Sequence, residues 1–362
     1  MPPFLKTQVP LAPYTTLGIG GPAEYFAHVD TEEKLLATLA WAHGEGLPLT
    51  VLGGGSNVLV ADEGIPGVVA LVDLRGIEFR EDGEAVLADV GAGETWDAFV
   101  ETAVLRGLFG LENLSGIPGK VGAAPVQNIN AYGASVGDVI VSVRARRRED
   151  GKEMTFDHDA CAFGYRDSFF KTKEGSAYVI TRVTFRLMRN ADATIAYRSS
   201  SQSIARKLAE AGITAPTPVD VRAAVLDVRR NIGMLEGMYR SAGSFFKNTV
   251  VTKEVFERVR LIAKSQFAEK SARFAPWFWE LPGGMVKLST AFLMECTPYN
   301  KTNFSEERFR DTVSLSPLHT LSIVNVGGAT ASDVRAFAET IIAAVEETFG
   351  VRIEPEVRFL PE

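Results

Sequence analysis

The sequence predicts a mixed α+β protein of two or three domains, and three observations lead to this prediction. Apolar runs of strand length alternate with amphipathic stretches of helical period along the 362 residues. Glycine-rich turns follow several of these runs. The chain is also long enough for more than one hydrophobic core, and the pattern places a domain boundary near residue 230.

The composition is that of an ordinary globular protein and excludes several classes of function. The net charge of −7 argues against a general binder of nucleic acid or of anionic membranes. The two cysteines lack CxxC spacing and the four histidines are scattered, so we expect neither a disulfide framework nor a metal site. Since no run of 18 apolar residues is present and the first residues do not open a signal peptide, we expect a cytoplasmic protein.

A helix is the first regular element that the sequence predicts clearly, after an extended and turn-rich stretch over residues 1–26. Asp30 is a suitable N-cap with Glu33 three residues on, which is the spacing of a capping box. Gly44 ends the helix, and residues 27–60 are predicted to form a β-α-β unit. The apolar face of the helix is predicted to consist of Leu35, Leu36, Leu39 and Ala40.

The stretch LTVLGGGSNVLV, residues 49–60, is the centre of the functional interpretation. A buried strand is predicted to end at three glycines, and a second apolar run begins at Val58. Successive backbone N–H groups in such a turn can form a concave site for an anion such as a pyrophosphate. The alternative is a tight turn between two strands. The residues of the candidate cradle are Gly53, Gly54, Gly55, Ser56 and Asn57.

A second glycine-rich stretch, residues 115–133, supports the interpretation of residues 53–57 as a cradle for an anion. It follows two predicted strands between residues 68 and 90 and a helix that carries Trp96 and Phe99. The stretch is too rich in glycine and proline for a helix and too apolar for a disordered linker. We interpret it as an ordered loop against a flat ligand, and the alternative is a packed irregular crossover.

The rest of the chain continues the mixed pattern. Strands are predicted over 138–150 and 178–188, and helices over 203–212 and 219–230. The arginines that end the first of these strands are interpreted as a solvated strand end; they are Arg144, Arg146, Arg147 and Arg148.

The part of the chain after residue 230 is predicted to begin with a helix from Thr252 to Ser265. Aromatic residues concentrated at 274–286 suggest an edge, a lid or an interface, and 297–312 is a polar excursion. A helix from Thr330 has an apolar face that consists of Val334, Phe337, Ile341 and Val345.

Several short motifs, in this order and spacing, resemble the UDP-N-acetylenolpyruvoylglucosamine reductase family, flavoenzymes of bacterial cell-wall synthesis. The resemblance runs from about residue 14 to the end. The motifs are VLGGGSN at 51–57, SGIPGKVGAAPVQNINAYG at 115–133, YRDSFFK at 165–171, GSFFKN at 243–248 and EPEVRF at 354–359.

The resemblance implies an α+β fold with an FAD-binding domain of the vanillyl-alcohol-oxidase type and a smaller α+β substrate-binding domain. The first FAD subdomain would cover residues 1–75 and include the returning segment 351–362. The second would cover 76–230, and the substrate-binding domain 231–350.

The implied reaction is NADPH-dependent and FAD-mediated reduction of UDP-N-acetylglucosamine enolpyruvate to UDP-N-acetylmuramate. We expect no nucleic-acid or membrane partner and a monomeric protein. Besides the cradle, the residues implied in cofactor binding are Ser115, Gly116, Ile117, Gly119, Gly122, Ala123, Gln127, Asn128 and Arg229.

Three residues are implied in catalysis. Arg166 offers a bidentate fork that suits the substrate carboxylate, and Glu356 would polarise or protonate the developing enolate. Ser244 would deliver the proton to C2. Each has an ordinary alternative: an ion pair of Arg166 with Asp167, a strand-end carboxylate for Glu356, and a cap or turn residue for Ser244.

Weaker candidates for substrate contact are Tyr165, Tyr197, Lys247 and Asn248. The sequence departs from the family pattern at Asn130, where glycine is usual, at Ile232, where lysine is usual, and at Thr249, where proline is usual.

Two competing functions stay open at this point. The first is an FAD-dependent oxidase of small alcohols or sugars. This function is disfavoured because no His or Cys for covalent attachment of the flavin lies beside residues 53–57. The second is a non-catalytic nucleotide-binding module.

Overall fold

The computed structural model describes residues 1–190, 204–304 and 307–361, so the substrate candidate Tyr197 lies outside the described residues. None of the described helices is both long and apolar enough to cross a membrane. The strands in this part of the chain are β1 (Lys6–Pro10), β2 (Pro22–Val29), β3 (Leu49–Leu52), β4 (Val58–Val60), β5 (Ile65–Val72), β6 (Ile77–Asp82), β7 (Ala85–Gly91), β8 (Asn130–Ala131), β9 (Ala134–Ser135), β10 (Ile140–Arg147), β11 (Glu153–Asp157), β12 (Tyr178–Met188), β13 (Thr249–Thr252), β14 (Phe278–Leu281), β15 (Met285–Leu288), β16 (Val313–Leu315), β17 (Ile323–Asn325) and β18 (Arg358–Leu360). The α-helices are α1 (Glu32–Gly44), α2 (Trp96–Leu105), α3 (Ile204–Glu210), α4 (Pro218–Asn231), α5 (Lys253–Gln266), α6 (Ala268–Arg273), α7 (Thr290–Glu295), α8 (Lys301–Phe304) and α9 (Ala331–Phe349).

The chain folds into two compact units. The first comprises Met1–Val9, Pro22–Gly55 and Ile65–Asn231. The second comprises Pro10–Gly21, Ser56–Gly64 and Ile232–Glu362. The boundaries of the three expected domains stay a prediction.

The first unit contains two larger sheets. In one, with the order β1-β2-β5-β3, β2 and β3 run parallel to β5 and lie on either side of it, so the predicted β-α-β unit of residues 27–60 is confirmed. The other has the order β11-β10-β12-β7-β6, and all its neighbouring strands are antiparallel. Trp96 and Phe99 of α2 pack on Phe185 of β12, and the three buried rings form part of the core.

The N-cap of helix α1 is Thr31, one residue later than the predicted cap Asp30. The side chain of Thr31 accepts a hydrogen bond from the Lys34 amide (3.3 Å), while Asp30 instead forms an ion pair with the Lys34 side chain (2.7 Å). Leu36 and Ala40 are exposed, so the predicted apolar face was wrong at these two positions. The stripe with helical spacing that faces the core consists of Leu35, Thr38, Leu39 and Ala42.

Two further predictions about the first unit were also wrong. Residues 65–91 form three strands rather than two, because β6 is an edge strand whose half-exposed residues give a weak apolar pattern. The arginines at the end of β10 are paired rather than solvated. Arg144 contacts Asp89 (2.6 Å) and Arg146 contacts Glu153 (2.9 Å).

The second unit packs around α9. Thr330 and Asp333 form a capping box at its start, and the four apolar side chains predicted from its period are buried. The sheets of this unit are β13-β15-β14, β16-β17 and a parallel pair of β18 with β4. The aromatic stretch 274–286 is partly edge strand, as suggested, and partly core, since Trp277 is 4% exposed and stacks on Phe292 at 4.4 Å.

Candidate active site

Two glycine-rich segments of the first unit meet backbone to backbone. β3 ends at Leu52, and the chain turns through Gly53, Gly54 and Gly55, of which Gly55 has a left-handed φ of +61°. A Cβ at Gly54 would lie 2.8 Å from the Cα of Gly119, which is too close for any side chain. The contact between the two segments therefore requires glycine at position 54.

The peptide groups on both sides of Gly116 are held by side chains of two helices. The Gly116 amide donates a hydrogen bond to Oδ1 of Asp97 on α2 (2.5 Å). Its carbonyl accepts a hydrogen bond from Nε of Arg229 on α4 (3.0 Å). Because Gly116 has a φ of +69°, these two contacts fix a turn that favours glycine. The second glycine-rich stretch is thus held in a defined conformation at Gly116, and its position against a flat ligand stays a prediction.

Asp97 is a positioning residue that the sequence analysis missed. Arg222 donates to both of its carboxylate oxygens, at 2.6 and 2.9 Å. Burial alone would raise the pKa of Asp97, but the hydrogen bonds from Arg222 and the Gly116 amide outweigh it and hold the pKa below its usual value. Arg222 and Arg229 are seven residues apart on α4, and this spacing on one helical face was the available signal.

Arg229 places a positive charge inside the first unit. The residue is 6% exposed, and burial lowers the pKa of its guanidinium because the charged form loses hydration. Tyr132 and the Asp97 carboxylate offset part of this loss, and a bound anion would offset more of it. A buried cation beside a glycine-rich loop therefore suits the pyrophosphate of a dinucleotide.

The other cofactor candidates of this loop divide into buried and accessible residues. Ser115 is fully buried and its hydroxyl donates to the Glu112 carbonyl (2.6 Å). The Gly122 amide donates to the Ala92 carbonyl (2.9 Å), and a Cβ at Gly122 would lie 2.6 Å from that of Ala92. These residues shape the loop through the contacts described. Ile117 and Gln127 are half-buried, and Ala123 is exposed.

Asn128 links the cofactor loop to the segment that carries Arg166. Its side-chain amide donates to the Gly164 carbonyl (2.9 Å), and its side-chain oxygen accepts from the Gly137 amide (2.8 Å). Asn128 has a φ of +45°, whereas Asn130 lies in strand β8. Asparagine at position 130, where the family usually has glycine, is therefore not in a positive-φ conformation.

Arg166 occupies the tip of a tight turn. Gly164 donates to the Asp167 carbonyl (2.9 Å), and between them Arg166 has a φ of +54°. The ammonium of Lys171 donates to the Arg166 carbonyl (2.8 Å). A left-handed conformation at a long side chain costs about 1–3 kcal/mol and is typical of functional sites. The neighbouring candidate Tyr165 is 57% exposed, so its ring is accessible.

In the second unit, backbone hydrogen bonds bring the GSFFKN and EPEVRF segments together. The Phe245 amide donates to the Leu321 carbonyl (2.7 Å), and the Phe245 carbonyl accepts from the Glu356 amide (2.8 Å). The segment with Ser244 therefore lies between the residues that precede β17 and the segment with Glu356. Two of the three catalytic candidates are thus on adjacent segments, while Arg166 belongs to the first unit.

The hydroxyl of Ser244 has a histidine partner. Its Oγ lies 3.0 Å from Nε2 of His319, which is within hydrogen-bonding distance. Both residues are half-buried. The sequence analysis treated His319 only as one of four scattered histidines, because the two residues are 75 positions apart.

Asn57 also contacts the EPEVRF segment. Its side-chain amide donates to the Glu356 carbonyl (3.3 Å), and the Arg358 amide donates to the Asn57 carbonyl (3.1 Å). The end of the glycine-rich turn is therefore hydrogen-bonded to the segment that carries the candidate residue Glu356. This link follows from the parallel pairing of β4 with β18.

The remaining substrate candidates have partners within the protein. Lys247 forms an ion pair with Glu354 (2.5 Å), and the side-chain oxygen of Asn248 accepts from the Thr290 amide (3.1 Å). Lys247 is exposed, so an anionic substrate group can compete for its ammonium.

These features fit FAD and give no sign of a metal. A backbone turn with no side chain at Gly54, the loop around Gly116 and the buried charge of Arg229 are the parts that a pyrophosphate-bearing dinucleotide needs. Within residues 1–190, 204–304 and 307–361, no group of three or more His, Cys, Asp or Glu side chains is placed to hold a metal ion.

Comparisons with known proteins identify two matching family models. Residues 23–157 match a model described as an FAD binding domain. Residues 236–360 match one described as the UDP-N-acetylenolpyruvoylglucosamine reductase C-terminal domain.

Similar full-length proteins carry the same description. The UDP-N-acetylenolpyruvoylglucosamine reductase of Thermobifida fusca is 39% identical over 355 residues, 96% of each chain. That of Pseudomonas aeruginosa is 39% identical over 354 residues, 97% of this chain and 98% of the relative. A crystal structure of the reductase from Thermus caldophilus aligns with a TM-score of 0.63 and 26% identity over 99% of this chain and 100% of that one.

Proposed function

The chain belongs to the UDP-N-acetylenolpyruvoylglucosamine reductase family, and we propose that it reduces UDP-N-acetylglucosamine enolpyruvate to UDP-N-acetylmuramate with NADPH. Membership rests on 39% identity over nearly the whole chain. FAD, when bound, accepts hydride from NADPH and passes it to C3 of the enolpyruvyl group. The other two functions considered from the sequence are not favoured by these relatives.

One observation supports the residue assignment most strongly. The segments that carry Ser244 and Glu356 are hydrogen-bonded neighbours, through the Glu356 amide and the Phe245 carbonyl (2.8 Å). Asn57, at the end of the cradle, is bound to the same Glu356 (3.3 Å). A proton donor, a carboxyl group and a cofactor segment are therefore in one place within the second unit.

Each of the three proposed catalytic residues meets one chemical requirement of the reaction. After hydride reaches C3, negative charge develops on C2 and on the carboxylate, and fixed donors stabilise such charge best. Arg166 binds the carboxylate with its planar fork, in an orientation set by the strained turn and by Lys171. Glu356 serves this step in its protonated form, in which its carboxyl group donates a hydrogen bond to the developing enolate, and Ser244 gives its hydroxyl proton to C2.

The cofactor is held mainly by backbone and by one buried charge. The amides of the turn 53–57 would hold the pyrophosphate, and the loop around Gly116 would contact the dinucleotide. Arg229, whose Nε donates to the Gly116 carbonyl (3.0 Å), would supply the countercharge. Cytoplasmic location and a monomeric state stay predictions.

A direct assay tests the proposed function. The purified protein is mixed with NADPH and UDP-N-acetylglucosamine enolpyruvate, and the product is weighed by mass spectrometry. We expect one NADPH oxidised per product that is heavier by two hydrogen atoms. NADPH oxidation that is independent of this substrate, with matching uptake of oxygen, would refute the proposal.

A further inference from the structure

We propose that His319 is a positioning residue that donates a hydrogen bond from Nε2 to Oγ of Ser244 and so prepares the serine to release its proton. The proposal rests on the proposed function and on Ser244 as the proton donor. Its basis is the 3.0 Å distance between the two atoms in the second unit.

The direction of this hydrogen bond follows from the chemistry of the donor. A neutral imidazole has one ring nitrogen that donates and one that accepts. If Nε2 accepted, the serine proton would point at the histidine and not at a substrate carbon. Only the tautomer with a proton on Nε2 leaves the serine proton able to point at C2 while Oγ accepts from His319.

The same hydrogen bond lowers the energy of the transition state for proton transfer from Ser244 to C2. When Ser244 protonates C2, its O–H bond breaks, and the electron pair of the enolate forms the new C–H bond. The oxygen keeps the pair of its former O–H bond and becomes negatively charged until a water proton restores the hydroxyl. A donor 3.0 Å from this oxygen stabilises the charge as it forms.

The backbone holds both partners in register. The Phe245 amide donates to the Leu321 carbonyl (2.7 Å), which fixes the segment after Ser244 against the segment after His319. The carbonyl of His319 itself accepts from the Ser322 amide (3.0 Å), so the residue lies in a hydrogen-bonded turn. These main-chain contacts fix the backbone positions from which the two side chains meet.

The test compares His319→Leu with His319→Gln in the FAD-loaded protein. Leucine removes the donor, while the glutamine amide keeps an N–H near the position of Nε2. The matched control is His43→Leu, at an exposed histidine in the last turn of α1. FAD content and circular dichroism show whether each variant is folded.

Rapid mixing separates the two half-reactions of each variant. For His319→Leu we expect flavin reduction by NADPH at the wild-type rate and reoxidation by the enolpyruvyl substrate slower by about 10²-fold, the usual effect of losing one donor to a developing oxyanion. Reoxidation should then show a larger solvent deuterium isotope effect than in wild type. His319→Gln should recover most of the rate, and His43→Leu should match wild type.

Failure of this inference is distinct from failure of the proposed function. Wild-type reoxidation rates in His319→Leu, equal losses in both half-reactions, or no recovery in His319→Gln would each overturn the role of His319. A wild-type protein that does not reduce the enolpyruvyl substrate would instead overturn the proposed function.

Discussion

Arg166 combines an unfavourable backbone conformation with a proposed role in substrate binding. Its φ of +54° is unfavourable for an arginine, and the turn survives because the Gly164–Asp167 hydrogen bond and the Lys171 ammonium hold the peptides around it. The strained residue lies in a short turn, and the adjacent residue Tyr165 is exposed. Such an arrangement suits binding of a carboxylate more than support of the fold.

Arg166→Lys tests this interpretation, because it keeps the positive charge and loses the bidentate fork. We expect flavin reduction by NADPH near the wild-type rate and a steep fall in the rate of enolpyruvyl reduction, measured by rapid-mixing absorbance. Equal losses in both half-reactions would instead indicate that Arg166 serves the fold.

At the scale of elements, the regular parts of the fold were predictable and the long-range side-chain contacts were not. Local signals sufficed for α9, where Thr330 and Asp333 cap the helix as their spacing indicates. Asp97 and Arg222 are 125 positions apart in the sequence, so no local pattern predicts that they form a pair. The same holds for His319 and Ser244, although the motif with Ser244 was identified.

The contact between the two glycine-rich segments makes one prediction at this scale. A Cβ at Gly54 would lie 2.8 Å from the Cα of Gly119, on the other glycine-rich segment. Gly54→Ala should therefore separate the segments and reduce the FAD that copurifies, measured from the flavin absorbance. Gly44→Ala is the control, because no atom lies within 4 Å of a Cβ there. Stoichiometric FAD in Gly54→Ala would contradict the account.

The Asp97 contacts predict a pH-dependent contribution to stability. Because the pKa of Asp97 is lowered in the folded protein, its ionised form stabilises the fold above about pH 4, the ordinary range of aspartate. This contribution is lost as the pH falls through the folded-state pKa. Asp97→Asn should lower the free energy of unfolding by about 1 kcal/mol at pH 7, since the carboxylate is partly exposed.

Denaturant titrations at several pH values measure that difference. The difference in the free energy of unfolding between wild type and Asp97→Asn should become smaller below about pH 4. Glu101→Gln is the matched control, since Glu101 contacts the same Arg222 at 3.6 Å and is more exposed, and its effect should be smaller. A gap that stays constant as the pH falls would show that the Asp97 charge is not responsible.

For the whole molecule, the reaction divides into two half-reactions, and the roles proposed above assign different residues to them. The first unit holds the glycine loops, Arg229 and Arg166, while the second holds Ser244, His319 and Glu356. The proposed roles of Ser244 and His319 concern only the half-reaction in which the enolpyruvyl substrate is reduced. Their removal should therefore leave binding and reduction of the flavin unchanged.

Ser244→Ala tests this central claim most directly, by rapid-mixing absorbance of flavin bleaching by NADPH and of its return with the enolpyruvyl substrate. We predict bleaching at the wild-type rate and a return slower by about 10²–10⁴-fold, since a positioned general acid is removed with little change in volume. Ser244→Cys, which keeps an acidic proton, should recover part of the rate. If Ser244→Ala is reoxidised at the wild-type rate, Ser244 is not the proton donor, and the assignment of the GSFFKN segment to catalysis is wrong.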